Sequence, residues 1–306
     1  LTRSDQPRHR PAWALLGLLL ALGALAACDS SHQMVGAVTA PPTPTVAPDT
    51  FQGTIVCAGS AALAPLVRRA AAEFNRLAPN AFVLVITSTS QLGLSTLADD
   101  GADIALADVS AADVLVPEAE NFSEYHVGAV PYAVIVNQAA GVTNLTRHDL
   151  RRIYTGQAQN WREVGGAAHS ITPFQASRGS GLQYLFEKSF ALADRTGEDQ
   201  ALANSTTSSN VLRDVAGTPG AIGYTPSGFV PASVQVVAID GVLPTVDTVA
   251  GGTYPFWSYA RLYTKYPAGG LAHAFISYMQ GATLQGKIVE QLGIVPLAQM
   301  KDRRQP

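Results

Sequence analysis

The chain has 306 residues, 47% of them hydrophobic and 14% charged, which suits two domains with sizeable cores and excludes a disordered body. Its net charge of −3 comes without any long run of Lys and Arg, which argues against a nucleic-acid partner, since a polyphosphate backbone needs a basic stripe. Neither a metal nor a cofactor is expected: His9, His32, His126, His148, His169 and His273 show no ligand spacing, and no cysteine pair assists them.

Arg3, Arg8 and Arg10 precede an uncharged stretch, 11–27, that ends Leu25-Ala26-Ala27-Cys28. A basic start, a Leu/Ala-rich middle and small residues before a cleavage point describe an export signal. A permanent anchor is the second reading, but the stretch is shorter than the ~20 residues of a spanning helix. Leu-Ala-Ala-Cys resembles the lipobox of bacterial lipoproteins. That resemblance implies cleavage of 1–27, lipid on Cys28, and an extracytoplasmic protein tethered to a bacterial membrane. Without 1–27 the chain has 17 basic and 22 acidic residues, a net −5. Residues 28–50, with Pro41, Pro42, Pro44 and Pro48, follow no helix or strand period and are expected to form an extended tether.

From 51 onward, strand-like and helix-like runs alternate, the pattern of a mainly parallel sheet covered by helices. A strand is expected at 54–57, with Cys57 as a small buried residue in it. Leu63, Leu66, Val67, Ala70 and Phe74 then mark one helical face, and Pro65 places the helix start near Ala64. Further strands are expected at 82–86 and at 103–107, the latter ending at Asp108. The β-like run 127–136 contains Pro131 and is long enough to pass between two lobes. A second crossing is expected at 254–263. Two helices, 271–279 and 283–292, would return to the first lobe. The expected division is 51–130 with 253–306 as lobe I and 131–252 as lobe II, hinged at the two crossings over a cleft.

Three short turns stand between strand-like and helix-like runs: Gly59-Ser60, Ser88-Thr89-Ser90 and Gly179-Ser180-Gly181. Each leaves unpaired N–H groups beside the positive end of a helix dipole, so converging turns can hold an oxyanion. Taken singly, the last is equally an ordinary loop and cap. Arg178, just before it, could add a charge-assisted bond. Asp108 reads either as an N-cap for a helix near Ala111 or as an acceptor for a protonated ligand oxygen. Enzyme signatures are missing from the sequence: Ser180 lacks the context of a nucleophile elbow. The near P-loop at 281–288 has Ile288 where magnesium needs a hydroxyl, and it lies in a helical pattern.

Three stretches resemble the PstS-like phosphate-binding subunits of bacterial ABC phosphate importers, within the type-II periplasmic binding proteins. They are Leu150-Arg151-Arg152-Ile153-Tyr154-Thr155-Gly156 followed by Asn160-Trp161 and Gly165-Gly166, Thr218-Pro219-Gly220-Ala221-Ile222-Gly223-Tyr224, and Tyr254-Pro255-Phe256. Trp161 and Tyr224 are expected to pack in the core, and Gly220 and Gly223 to serve tight turns. The resemblance implies a two-lobed type-II fold, capture of inorganic phosphate for an ABC permease, and no enzymatic activity. It assigns the ligand to Ser60, Ala61, Ser90, Asp108, Ser180 and Gly181. Ala61, Gln91 and Leu182 depart from the family pattern. Ala176 holds the place of the family's site Arg, so Arg178 is assigned to the site in its stead. Two alternatives stay open: a different oxyanion or small ligand, and a non-transport sensor or interaction lipoprotein with a degenerate cleft.

Overall fold

Strand β1 (Gly53–Ser60), helix α1 (Ala64–Leu77), strand β2 (Ala81–Ser88), helix α2 (Ser90–Ala98) and strand β3 (Ile104–Ala107) open the fold, with β1 paired parallel to both β2 and β3. The computed structural model describes residues 51–114, 121–192, 203–204, 208–289 and 291–300, so the expected signal, Cys28 and the tether lie outside the described residues. Helix α1 starts where Pro65 predicts, with the proline in the first turn, where its missing N–H leaves no bond unmade. Its Leu66, Val67, Ala70 and Phe74 are buried. Edge strand β2 covers only one face: Val83 and Val85 pack on the core, while Phe82, Leu84 and Ile86 alternate on the exposed side. Cys57 is fully buried in β1, and burial pushes its thiol well above the usual range.

The crossing segment is β4 (Ser123–Val136), a single strand of 14 residues. It leads into β5 (Asn144–Leu145), α3 (Arg147–Tyr154), β6 (Thr172–Gln175), α4 (Gly181–Ser189), β7 (Ala203–Asn204), α5 (Ser208–Gly217), β8 (Ala221–Pro226), β9 (Gln235–Ile239) and α6 (Val246–Ala250). Strand β10 (Trp257–Thr264) and α7 (Gly270–Gln280) follow, then a π-helical segment Leu284–Val289 where the near P-loop falls. The first part of β4 pairs with β10, and from Tyr132 onward it pairs with β8 and β9. Pro131 sits at that changeover, opposite Trp257. A residue without an N–H is tolerated where one partner strand ends and the next begins.

The sheet runs β2-β1-β3-β10-β4-β8-β6-β7, with β9 on β4 and β5 on β9. Five of the nine pairs between the described strands are parallel and four antiparallel. Among the described strands, every antiparallel pair involves β4 or β10, and the pairs within the outer parts of both lobes are parallel. The crossing strands run against their neighbours because each carries the chain from one lobe into the other. Trp161 is fully buried and donates from Nε1 to Gly220 O at 2.8 Å, and Tyr224 stacks on Phe186 with centroids 4.0 Å apart. Gly220 turns with φ +78°, and a Cβ there would fall 2.1 Å from Ser170 O. Gly223, expected in a turn, lies instead within β8 and lets Val211 of α5 approach the strand.

Candidate functional site

Parallel pairing brings the carboxyl ends of β1, β2 and β3 to one edge of the sheet, which is where ligands sit in open α/β sheets. Ser60 ends β1, and Asp108 follows β3 directly. Ser90 opens α2, capped by Thr89, whose hydroxyl accepts from Leu92 N at 3.1 Å. The three residues form one cluster. Asp108 Oδ2 accepts from Ser60 Oγ at 3.1 Å, and Oδ1 accepts a short bond from Ser90 Oγ. Each serine oxygen in turn accepts a backbone N–H at 3.2 Å, from Ala62 and from Asp108. All three side chains are buried, Asp108 to 1% exposure. The carboxylate thus faces the two serines.

Burial pushes the Asp108 carboxyl above the usual range, against the pull of bonds from Ser90, its own backbone N–H and Ser60, and of the Arg261 charge. Arg261 stands on β10 in register with Ala107, the residue before Asp108, and is 5% exposed. Its Nε donates to Glu124 Oε1 at 3.0 Å, and its Nη1 to Tyr259 O at 3.2 Å. Glu124 also accepts from Tyr263 Oη at 2.6 Å and lies against His126 Nε2. Burial alone would raise Glu124; the bonds from His126 and Tyr263 and the Arg261 charge outweigh it and lower the carboxyl to about 2. Tyr132 Oη shares a 3.0 Å hydrogen bond with Ser258 Oγ beside this cluster. Sequence reading missed Arg261. The signal was an arginine among Trp257, Tyr259, Leu262 and Tyr263, in a strand apolar enough to be buried throughout.

From the second lobe, Ser180 caps α4 by accepting from Gln183 N at 3.2 Å. Gly181 follows directly over the first cluster. A Cβ built on it would lie 2.0 Å from Asp108 Oδ1 and 2.6 Å from Ser90 Oγ. The two lobes enclose a cavity of about 260 Å³, lined by Ser60, Ala61, Ser90 and Asp108 on one side and by Ser180 and Gly181 on the other. Six of the seven predicted site residues therefore meet around one space. The N–H of Ala61 donates to Ser88 O at 3.1 Å. Arg178 is exposed and lines an adjoining chamber of about 540 Å³ with Gln91, Asp113, Tyr184 and Glu187, whereas Ala176 faces the smaller cavity. Among the described residues no His, Cys, Asp and Glu cluster could hold a metal, and no helix is long and apolar enough to cross a membrane.

A two-lobed α/β body with a cavity at the carboxyl ends of β1, β2 and β3 is the architecture of a solute-binding protein. Residues 44–283 match the PBP superfamily domain. The chain belongs to that superfamily and, within it, to the family of the phosphate-binding protein PstS. The Bacillus subtilis (strain 168) PstS is 35% identical over 254 residues, which cover 82% of this chain and 83% of that protein. An ABC-type phosphate transport receptor from Vibrio cholerae superposes with a TM-score of 0.65 at 28% identity, over 79% of this chain and 99% of its own. The fold is shared with a Clostridium perfringens ABC transporter substrate-binding protein solved with bound phosphate, at TM-score 0.73 and 23% identity, over 80% of this chain and 100% of that one.

Proposed function

We propose that this chain captures inorganic phosphate between its lobes and delivers it to an ABC importer in the membrane, without covalent chemistry. The observation that carries the reading is Asp108, buried between Ser60 and Ser90 and facing the amino terminus of α4. A helix N-terminus attracts an anion, while a fixed carboxylate accepts only from an anion that still bears a proton. A phosphate ion that keeps a proton meets both demands. Sulfate would set lone pairs against Asp108 in a space with little water, and a buried unpaired acceptor costs about 1–3 kcal/mol, enough to discriminate.

In this reading Ser60, Ala61, Ser90, Asp108, Ser180 and Gly181 surround the anion, and Arg178 draws it in from the outer chamber. Binding brings lobe I (51–130 with 253–306) and lobe II (131–252) together about the β4 and β10 crossings. Cys28 carries the lipid that keeps the protein at the outer face of the membrane.

The test is calorimetry and thermal shift on the full chain with phosphate, sulfate, molybdate and phosphonates. Phosphate is expected to bind and to raise the melting temperature, with sulfate inactive at the same concentration. Stabilisation by another of these ligands but not by phosphate would replace the assignment. Failure of all of them would favour a partner-sensing lipoprotein.

A further inference from the structure

We infer that the pocket takes phosphate as its singly charged dihydrogen ion, so that binding from neutral or alkaline solution takes up a proton. The inference rests on the phosphate reading above and specifies the ionisation state that the site selects. Two independent observations carry it.

The first is charge. Among the described residues that line the cavity, none is Lys, Arg or His, and the one carboxylate is Asp108. Ala176, which lines the same cavity as Ser180 and Gly181, brings no charge to it. Arg261, behind Asp108, is paired with Glu124, and Arg178 shares its outer chamber with Asp113 and Glu187. A second charge on the ligand would therefore face Asp108 in a buried setting with only neutral donors to offset it, and such an interaction is poorly screened.

The second is hydrogen-bond polarity. The hydroxyls of Ser60 and Ser90 each have one proton, directed at Asp108, and each oxygen already accepts one backbone N–H. What remains to each is a lone pair. The lobe I wall thus offers acceptors, namely Asp108 and two serine oxygens, while the first turn of α4 offers N–H groups. An anion with two P–OH and two P–O groups matches both walls, whereas the doubly charged ion supplies a single hydroxyl. If the proton shared with Asp108 resides on the carboxylate rather than on the ligand, the complex still contains the same number of protons.

Groups facing Asp108 come from every neighbouring element: Ser60 of β1, Ser90 of α2, Tyr132 of β4, Arg261 of β10 and the backbone of Gly181. One step further out stand Glu124, Tyr263 and His126. Burial keeps Tyr132 and Tyr263 protonated, and the bonds to Glu124 keep it ionised, so neither tyrosine nor Glu124 changes state near neutral pH.

The experiment is titration calorimetry of the full chain with inorganic phosphate across neutral pH, in buffers of different ionisation enthalpy. Above the second ionisation of phosphate, the association constant for total phosphate is expected to fall about tenfold per pH unit, with close to one proton taken up per anion bound. Ala176→Arg is expected to flatten that slope and abolish the uptake, and His126→Gln to leave both unchanged. Binding by the native chain that neither weakens with pH nor takes up a proton would overturn this inference alone. Loss of the slope in His126→Gln would assign the proton to that residue and also overturn it. No binding at any pH would overturn the phosphate reading and this inference with it.

Discussion

Gly181 and Asp108 meet across the cleft so closely that a methyl group on the glycine would lie 2.0 Å from the carboxylate oxygen. This approach of the two lobes requires that residue 181 have no side chain. Gly181→Ala suits α4 itself, because alanine is favoured in a helix and this glycine has no left-handed backbone to preserve, but its methyl forces the α4 turn and the Asp108–Ser90 pair apart. The variant is expected to keep its melting temperature within a few degrees and to lose at least about tenfold in phosphate affinity, ~1.4 kcal/mol, by calorimetry. Unchanged affinity would show that the lobes do not close on the anion along this contact.

Asp108→Asn separates stability from function. A carboxyl whose folded value is raised by burial destabilises the protein as pH climbs from its ordinary 3.8 through the raised value, and the full cost applies above it. The amide keeps the shape and removes the charge, so the variant is expected to melt higher than the native chain at neutral pH, with no gain in strong acid. Its discrimination against sulfate should fall at the same time. A lower melting temperature at neutral pH would contradict the burial argument.

Glu124 behaves in the opposite sense. Its carboxyl is lowered from 4.5 to about 2, so its contribution to stability is complete above 4.5 and is lost as pH falls toward 2. Urea midpoints of the native chain and of Glu124→Gln should differ at neutral pH and converge in that acid window. A constant difference down to pH 2 would mean that the carboxylate charge is not what Arg261 and Tyr263 respond to.

Arg178 stands in the outer chamber, where a charge guides an incoming anion more than it holds a bound one. Arg178→Ala is expected to slow phosphate association several-fold at low ionic strength, to lose that effect in high salt, and to leave dissociation nearly unchanged in stopped-flow measurements. Faster dissociation at all salt concentrations would place the guanidinium on the bound anion.

Much of the site was legible because local chemistry announces it. Ser60, Ser90 and Ser180 stand where a strand-like run gives way to a helix-like one, and Asp108 ends a short apolar strand, so their places follow from periodicity and turn chemistry. The crossing strand was legible through Pro131 and sheer length. Arg261 was not, because 153 positions separate it from Asp108 along the chain and only the β10–β3 register joins them. The exposed face of β2 was equally hidden: an apolar run does not say which of its faces a helix will cover.

Composition, periodicity and three hydroxyl turns, by themselves, determined an α/β body with a candidate anion site at its strand-to-helix turns, because those features depend on neighbours only a few residues apart. Tertiary structure alone decided which groups share the cavity. It turned both serine hydroxyls onto Asp108, set Gly181 against the carboxylate, placed Arg261 behind it, and left Ala176 facing the pocket with Arg178 outside. The physical reason is that charge balance and hydrogen-bond polarity are properties of an enclosed space, and that space exists only after two lobes distant in sequence have packed together.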